Sequence, residues 1–481
     1  MKEIDSKRVT LNHKHPIMNT SDTICAICTA SGRGAIAVLR LSGAEAIRIA
    51  DSLFRGHLRL ADSAPRTLHY GTIVDTQGVM VDDVVVSTFH APHSYTGDDV
   101  VEISCHGSTL VQRRILQLLI EAGARMAQPG EFTKRAFVNG KMDLSQAEAV
   151  GDMIAAESES ARRVAFSQMR GGISKELKSL REKLIHFASL IELELDFSEE
   201  DVEFADRSEL TSLTDEILGV VTRLADSFRL GNAIKEGVRT AIVGAPNAGK
   251  STLLNALLNE ERAIVSDIEG TTRDTVEETL WIDGVAFRLI DTAGIRDTND
   301  KVEAEGVRRS REAISKARVV VAVIDASLGR ERAEHEAVDI HAMMNADQML
   351  VVALNKVDAC GGSLPWVDEA WRRAAGASRV VLMSAKEGKG IDELKNGMME
   401  AVGGGEVGVD DVLVSNVRHY EALLSAREAL LRVRAGIDLG SGGEILSMDL
   451  REVTEALGSI TGEVATEDVL ENIFKHFCIG K

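Results

Sequence analysis

The sequence predicts an α/β phosphate-loop domain, with a parallel sheet and helices on both of its faces, inserted in an all-α helical bundle. A small N-terminal α/β domain is predicted in front of them. Three observations support this fold class. The segment GAPNAGKS, residues 244–251, fits the phosphate-loop pattern. Strand-like and helical segments alternate after it as far as Val402. Segments with helical spacing of apolar residues lie on both sides of that region.

Composition limits the architecture and the partners. The 481 residues suffice for about three domains, and 44% hydrophobic residues with only 6 prolines predict ordinary buried cores. With 75 acidic and 55 basic residues the net charge is −20, so we expect no broad basic face for nucleic acid. Any RNA contact must be local or delivered by a partner. The sequence has no apolar run of about 18 residues, so no membrane span is predicted.

The termini and cysteines indicate a cytosolic protein. Residues 1–20 are polar, lack the apolar core of a signal peptide, and are predicted to form an extension. The five cysteines are scattered, an arrangement that favours reduced thiols. Cys25 and Cys28 form a lone CxxC in a strand-like segment. Without a second ligand pair, we favour buried small hydrophobes over a zinc site.

The N-terminal domain is predicted to be a small mixed α/β unit. Two short strands flank a glycine-rich turn at residues 31–34. Further strands are expected at residues 81–89 and 100–106, followed by a helix at 108–122.

A helical region should follow. From residue 143 to 197 apolar residues recur at helical spacing, which predicts a pair of long bundle helices. The acidic segment 192–209 favours a solvated face or loop over a docking site for a basic partner. Another helix is expected at residues 210–230. One apolar stripe is predicted to comprise Leu177, Leu180, Leu184, Phe187 and Ile191.

The same patterns predict the strands of the nucleotide domain and the helices that follow it. A glycine-rich linker is expected at residues 403–408. Strands of the nucleotide domain are predicted at 286–290, 319–324, 349–354 and 379–383. Later helices are predicted at 417–435, 445–457 and 467–477. The predicted segments are the extension (1–20), the N-terminal α/β domain (21–140), the first helical part (141–236), the nucleotide domain (237–403) and the second helical part (404–481).

The phosphate loop carries the first chemical prediction. A strand, a glycine turn and a helix aim several backbone N–H groups at one point, where the helix dipole also favours an anion. Lys250 is expected to reach the β- and γ-phosphates, and the Ser251 hydroxyl to bind Mg²⁺.

Two later segments indicate guanine as the base. In NKVD (355–358), the Asp358 carboxylate can accept hydrogen bonds from the guanine N1–H and 2-amino group, which adenine does not offer. In SAK (384–386), a backbone N–H can bind the guanine carbonyl. NKxD alone is a weak signal, but after a phosphate loop at this distance it is strong.

The segments DTAG (291–294) and GTTRD (270–274) add the γ-phosphate contacts. Asp291 can bind a metal-bound water, and the Gly294 N–H can bind the γ-phosphate, which couples the phosphate to loop position. One threonine of GTTRD, assigned as Thr272, should meet Mg²⁺. These signals together predict GTP hydrolysis.

The residue that orients water is left open by these patterns. Many GTPases place a glutamine after this glycine, but here Ile295 follows and cannot act in this way. The candidates are Glu303, just downstream, and a cation near Asn247.

The order of these motifs resembles the family of the tRNA-modification GTPase MnmE, also called TrmE. The resemblance runs from about Ser21 to Lys481. It includes GRGAIAVLRLSG, GEFTKRAFVNGKMDLSQAEAV, LDFSEEDVEF and the terminal FCIGK outside the nucleotide domain. It implies a cytoplasmic homodimer that works with the flavoprotein MnmG as a heterotetramer. Together they would install an aminomethyl-type group on the wobble uridine of certain tRNAs, with tRNA held largely by the partner.

The resemblance also implies a folate site in the N-terminal domain, which would be the dimerisation domain. The one-carbon unit would come from 5-formyl- or 5,10-methylene-tetrahydrofolate. The folate-contacting positions of the family match Arg40, Glu102, Lys141 and Lys481. Folate has an anionic tail for the cations and a pterin edge whose donors suit Glu102. Cys478 matches a family cysteine.

A potassium ion is a further implication of the resemblance. A hard cation with oxygen ligands can stand where an arginine finger would and neutralise transition-state charge. Glu303 matches the family's water-orienting acid, so the implied catalytic set is Glu303, Lys250 and Asp291. The implied K⁺ ligands are Asn247, Ser266, Ile268 and Thr271, with Ser266 standing where threonine is expected.

The predicted nucleotide site combines residues of all these segments. It comprises Asn247, Ala248, Gly249, Lys250, Ser251, Thr252, Ser266, Asp267, Ile268, Glu269, Gly270, Thr271, Thr272, Asp291, Thr292, Ala293, Gly294, Asn355, Lys356, Asp358, Ser384, Ala385 and Lys386. Two alternatives to this interpretation are a ribosome-assembly GTPase switch with RNA-binding flanking domains and a folate-dependent aminomethyltransferase with a regulatory GTPase. The acidic balance and the FCIGK terminus speak against the first.

Overall fold

The structure is a computed structural model that describes residues 22–196, 206–261, 278–290, 303–404 and 412–480. The side chains of residues 195–196, 259–261 and 303–307 are outside that description. The predicted extension, half of the acidic segment and most of the glycine-rich linker therefore lie outside the described residues. Contacts divide the chain into two compact units, one of residues 1–151 and 458–481 and one of residues 152–457. The five predicted segment boundaries stay predictions.

The first unit is built around a seven-stranded sheet in the order β3-β4-β5-β6-β2-β1-β7. All its neighbouring strands are antiparallel except the pair β1 and β7. The strands are β1 (Ile24–Ile27), β2 (Ile36–Ser42), β3 (Phe54–Gly56), β4 (Thr67–Val74), β5 (Met80–Phe89), β6 (Val100–His106) and β7 (Arg125–Met126). The helices are α1 (Ala46–Leu53), α2 (Thr109–Glu121), α3 (Glu131–Val138) and, at the C-terminus, α15 (Glu467–Lys475). The strands and helix predicted for the N-terminal domain are confirmed.

The core of this unit lies between the sheet and helices α1 and α2. Alternate residues of β2, such as Leu39 and Leu41, are fully buried against Ile49 of α1 and Ile115 of α2. The C-terminal helix α15 packs on α3, where Phe474 and Leu470 join Phe137 in a separate apolar cluster.

The second unit contains a helical bundle with the helices α5 (Glu159–Met169), α6 (Gly172–Asp196), α7 (Arg207–Glu236) and α13 (Val417–Asp438). Two further helices, α4 (Leu144–Ala155) and α14 (Gly443–Thr461), include residues of both units, because the chain passes between the units at residues 151 and 458. The predicted pair of long helices over residues 143–197 is wrong, because three helices occupy it. Ser158 caps α5 by accepting a hydrogen bond from the Ala161 N–H, and Gly171, at φ +79°, separates α5 from α6.

Segments from both sides of the nucleotide domain form this bundle, as predicted. The rings of Phe228 in α7 and Tyr420 in α13 stack with their centroids 4.3 Å apart. The buried Gln168 side chain donates from Nε2 to Leu413 O at 2.8 Å. All five residues of the predicted apolar stripe on α6 are buried. Helix α7 extends beyond the predicted 210–230 at both ends.

The nucleotide domain holds a six-stranded sheet in the order β13-β12-β11-β8-β10-β9. Its strands are β8 (Val238–Val243), β9 (Glu278–Ile282), β10 (Val285–Ile290), β11 (Val319–Asp325), β12 (Met349–Asn355) and β13 (Arg379–Leu382). Its helices are α8 (Lys250–Glu261), α9 (Glu303–Lys316), α10 (Arg330–Ala342), α11 (Glu369–Ala374) and α12 (Ile391–Ala401). The predicted strands are present, and apolar cores cover both faces of the sheet.

One strand corrects the prediction of a wholly parallel sheet. β9 was not predicted, and it pairs antiparallel with β10 at the sheet edge. A two-residue turn joins the two strands, with Asp283 at φ +49° and Gly284 at φ +80°. An Asp-Gly pair between apolar segments is typical of such hairpin turns. Among the residues that the structure describes, no helix is both long and apolar enough to cross a bilayer.

Candidate nucleotide and ligand sites

The phosphate loop lies between the end of β8 and the start of α8. Gly244 has φ +148°, and a Cβ there would stand 2.1 Å from the Val323 carbonyl oxygen. Gly249 has φ +105°, and a Cβ there would stand 2.2 Å from the Asn355 Nδ2. The backbone conformation and the closeness of neighbouring atoms therefore both require glycine at positions 244 and 249 of the pattern.

Lys250 is held by its own loop. Its Nζ donates to Gly244 O at 2.7 Å and to Ala245 O at 2.8 Å. Burial lowers the pKa of Lys250, and the charge of Glu336 opposes that effect. Among the other predicted loop residues, Asn247 is exposed with φ +64°, Ala248 is buried, Ser251 is half-buried and Thr252 is exposed.

Asn355 joins two of the predicted segments directly. It ends β12, and its side chain is 3% exposed. Nδ2 donates to Ala248 O in the phosphate loop at 2.8 Å, and Oδ1 accepts from the Ala385 N–H at 2.9 Å. One buried amide thus uses a donor and an acceptor to fix the phosphate loop and the SAK segment relative to each other.

The rest of the guanine segments lies around this amide. Lys356, at φ +64°, pairs through Nζ with Asp325 Oδ2 at 2.6 Å. Burial opposes ionisation of Asp325, but hydrogen bonds from Lys356 and Ser327 hold its pKa below the usual value. This contact of Asp325 with a predicted site residue was not predicted, although an acidic side chain at the end of a buried strand could have indicated it.

Asp358 and the SAK segment are close in space. Asp358 is exposed in a short 3-10 turn after β12, while Ser384 and Ala385 are buried and Lys386 is exposed. The Lys389 amide N–H donates to Ser384 O at 3.1 Å, which closes a tight loop. A hydrogen bond to Glu387 and the charges of Glu387 and Asp358 raise the pKa of Lys389. The Val357 N–H donates to Met383 O at 3.2 Å, so the turn that carries Asp358 lies next to the residues that lead into the SAK segment.

Several predicted residues lie outside the described part of the chain. Glu303 is the first residue of α9, and its side chain is outside the description. The others that lie outside are Ser266, Asp267, Ile268, Glu269, Gly270, Thr271, Thr272, Asp291, Thr292, Ala293, Gly294 and Lys481. Their assignments stay predictions.

In the N-terminal unit, strand register brings Arg40 and Glu102 together. They are direct partners across β2 and β6, and Arg40 Nε donates to Glu102 Oε1 at 2.9 Å. The Arg40 guanidinium lies 5.3 Å from the ring centroid of Tyr95 and 5.6 Å from that of Phe132. The ion pair is partly exposed beside the half-buried Tyr95 ring, which suits a flat ligand with an anionic group, while the Phe132 ring is fully buried.

Lys141 lies beside the same loop. Its Nζ donates to Pro92 O at 2.9 Å, and Pro92 precedes Tyr95 in the β5–β6 connection. Tyr95 and Phe132 were not predicted to lie beside Arg40, because single aromatic residues in such segments are usually core residues. Burial raises the pKa of Tyr95, whose hydroxyl is 2.9 Å from Thr133 Oγ1.

In the lone CxxC, Cys25 is a buried small hydrophobe, as we favoured over a zinc ligand. Cys25 is fully buried, and burial raises the pKa of its thiol to about 11. Cys28 is half-buried and donates to Gly480 O at 3.1 Å. Within the described residues, no group of three or more His, Cys, Asp and Glu side chains has the arrangement of a metal site.

Two family models and several nearly full-length relatives match this chain. The family model described as "MnmE helical domain" matches residues 144–478, and that described as "GTP-binding protein TrmE N-terminus" matches residues 23–141. A protein of Bacteroides thetaiotaomicron named "tRNA modification GTPase MnmE" is 50% identical over 473 residues, which are 96% of this chain and 99% of that protein. Proteins with the same name from Parabacteroides distasonis and Flavobacterium johnsoniae are 51% and 48% identical, over 95% and 96% of this chain and 100% of each relative.

The fold and the site define a phosphate-loop GTPase, with Asn355 linking the phosphate loop to the guanine segments. The identity over nearly the full length then fixes the family: the chain belongs to the MnmE (TrmE) family of tRNA modification GTPases.

Proposed function

We propose that this protein hydrolyses GTP to drive modification of the wobble uridine of certain tRNAs. With the flavoprotein MnmG it would install an aminomethyl or carboxymethylaminomethyl group at C5, using a tetrahydrofolate one-carbon unit. The observation that carries the GTPase part is the Asn355 side chain, which joins the Ala248 carbonyl to the Ala385 N–H. The relatives' shared name supports the tRNA part over a ribosome-assembly switch.

For hydrolysis, Lys250 is the described group best placed to meet phosphate oxygens, since its amine lies within the loop that would cradle them. Ser251 with Thr272 would hold Mg²⁺, and Asn247 with Ser266, Ile268 and Thr271 would hold K⁺. The exposed amide of Asn247 in the loop suits an oxygen-preferring cation. Both ions would neutralise charge that develops on the phosphate oxygens. Glu303 would orient water and Asp291 would hold a metal-bound water.

For the one-carbon donor, Arg40, Glu102, Lys141 and Lys481 would bind 5-formyl- or 5,10-methylene-tetrahydrofolate. The ion pair of Arg40 with Glu102 beside two aromatic rings supports this assignment. Arg40 would pair with the anionic tail, and Glu102 would accept hydrogen bonds from the pterin edge.

The proposed assembly is a cytoplasmic homodimer that joins MnmG in a heterotetramer. The net charge of −20 supports tRNA binding largely through the partner, because a phosphate backbone is repelled by an acidic surface.

Two experiments test the proposal. Mass spectrometry of wobble uridine from cells that lack the gene should show loss of the C5 modification, and an unchanged modification level would contradict the tRNA assignment. GTP turnover by the purified protein should be faster in K⁺ than in Na⁺ at equal ionic strength. Equal rates in the two salts would remove Asn247 from the ion site.

A further inference from the structure

The phosphate loop has a contact from a distant helix that no motif accounts for. The Ala245 N–H donates to Glu336 Oε1 at 2.7 Å, across 91 residues of sequence. Glu336 is half-buried on α10. A half-buried carboxylate beside a loop that binds phosphate is unfavourable on charge alone, so the contact needs a reason.

The peptide between Gly244 and Ala245 is held from two directions. It is planar and trans, so its N–H and its C=O point in opposite directions. The N–H end donates to Glu336, and the C=O end, Gly244 O, accepts from Lys250 Nζ at 2.7 Å. A rotation of this peptide would break both hydrogen bonds together.

The surroundings restrict that rotation further. Gly244 lies against the Val323 carbonyl, so the residue before the peptide has little space to move. Lys250 also donates to Ala245 O at 2.8 Å, which ties the following peptide to the same amine. Burial raises the pKa of Glu336, while the Ala245 N–H, Arg332 and Lys250 oppose that rise.

We propose that Glu336 is a positioning residue for the phosphate loop, whose carboxylate orients the Gly244–Ala245 peptide and so presets the place of Lys250. The proposal rests on the GTPase function and adds a residue that the recognised motifs do not contain. Glu336 acts through the loop and not on the nucleotide. Its value for binding is preorganisation: a loop that already has its bound conformation loses less entropy when phosphate arrives.

Three substitutions separate the hydrogen bond from the charge. Glu336→Ala removes both. Glu336→Asp keeps the charge but shortens the side chain by one carbon, so its carboxylate no longer reaches the Ala245 N–H. Glu336→Gln removes the charge but keeps a carbonyl oxygen that accepts the same hydrogen bond. Glu334→Ala, on the same helix and paired at the surface with Arg330, is the matched control.

The measurement is the Kd of GDP and of a non-hydrolysable GTP analogue, by titration calorimetry on the full-length protein, with KM and kcat for GTP beside it. We expect Glu336→Ala and Glu336→Asp to weaken binding and raise KM about tenfold, with kcat within about threefold of wild type. We expect Glu336→Gln to bind within about threefold of wild type and Glu334→Ala to bind as wild type does. The number of binding sites per total protein should stay constant, because a loss of folding would lower it.

Other results would overturn the proposal. Binding by Glu336→Asp within twofold of wild type would remove the positioning role, even if Glu336→Ala failed to fold. Binding by Glu336→Gln as weak as by Glu336→Asp would assign the effect to charge and contradict the hydrogen-bond account. If the wild-type protein itself bound no guanine nucleotide, the proposed GTPase function would fail as well, which distinguishes the two failures.

Discussion

The nucleotide site and the Arg40–Glu102 site are assembled in different ways. In the nucleotide site, the motifs that the structure describes are short continuous segments at the ends of strands of one sheet, and Asn355 joins two of these segments through backbone atoms. In the N-terminal unit, two residues 62 positions apart meet because strands β2 and β6 pair in one register. The nucleotide site can therefore be predicted from local sequence patterns. The Arg40–Glu102 site depends on tertiary pairing, and only resemblance to a family indicated it.

The largest effect is expected from a substitution in the nucleotide site. Lys250→Ala should lower kcat/KM for GTP by about a thousandfold, roughly 4 kcal/mol of transition-state stabilisation, because it removes the only described cation inside the phosphate loop. Steady-state phosphate release measures this. Lys316→Ala, an exposed lysine on α9 that pairs with Glu312, is the control and should hydrolyse GTP normally. A Lys250→Ala enzyme with a tenth or more of wild-type kcat/KM would refute the assignment.

A smaller effect is expected at the base. Asp358→Asn should weaken GTP binding about a hundredfold, because the amide replaces an acceptor for the guanine donors by a donor. The same amide can donate to the 2-carbonyl of xanthine, so binding of xanthosine triphosphate should improve. Competition titrations with the two nucleotides measure both changes. Unchanged selectivity would mean that the exposed carboxylate does not meet the base.

The site that depends on strand register can be tested in the same way. Arg40→Ala should weaken 5-formyl-tetrahydrofolate binding by roughly thirtyfold, since it removes the cation and leaves Glu102 without its partner in the ion pair. Equilibrium binding to the full-length protein measures the change. Arg48→Ala removes an exposed arginine that pairs with Glu45 on α1 and should bind folate as wild type does. Equal weakening by both substitutions would indicate a general charge effect instead of a site.

The smallest effect concerns reactivity. The thiolate is the nucleophile, and a pKa of about 11 leaves roughly one in a thousand Cys25 side chains ionised at pH 8. A thiol reagent should therefore modify the exposed Cys478 within minutes and leave Cys25 unmodified until the pH approaches 11 or the protein unfolds. Peptide mapping by mass spectrometry identifies the labelled residue. Early labelling of Cys25 at pH 8 would contradict its burial.

Much of the fold followed from the sequence, and the errors have physical causes. Strands β8, β10, β11, β12 and β13 were predicted because parallel strands buried on both faces are continuous apolar runs. β9 was missed because an edge strand carries fewer apolar residues, although the Asp283–Gly284 turn marks its end. The break between α4 and α5 was missed because Ser158 is a weak signal without its cap hydrogen bond.

In the candidate site, residues that belong to a motif were predicted and residues outside any motif were not. Lys250, Asn355 and Asp358 were predicted because their motifs have fixed spacing. The contacts of Glu336 with Ala245 and of Asp325 with Lys356 were not predicted, because each joins residues that are far apart in sequence and follow no fixed spacing. Tyr95 and Phe132 were not predicted either, because single aromatic residues outside a motif are usually core residues.

The most direct test of the account is guanine selectivity at equilibrium. Purified full-length protein should bind GTP in preference to ATP by at least about a hundredfold, because Asp358 offers acceptors that only guanine can satisfy. Titration calorimetry with both nucleotides in the presence of Mg²⁺ measures this. Absence of guanine-nucleotide binding at cellular concentrations, or a preference for ATP, would contradict it.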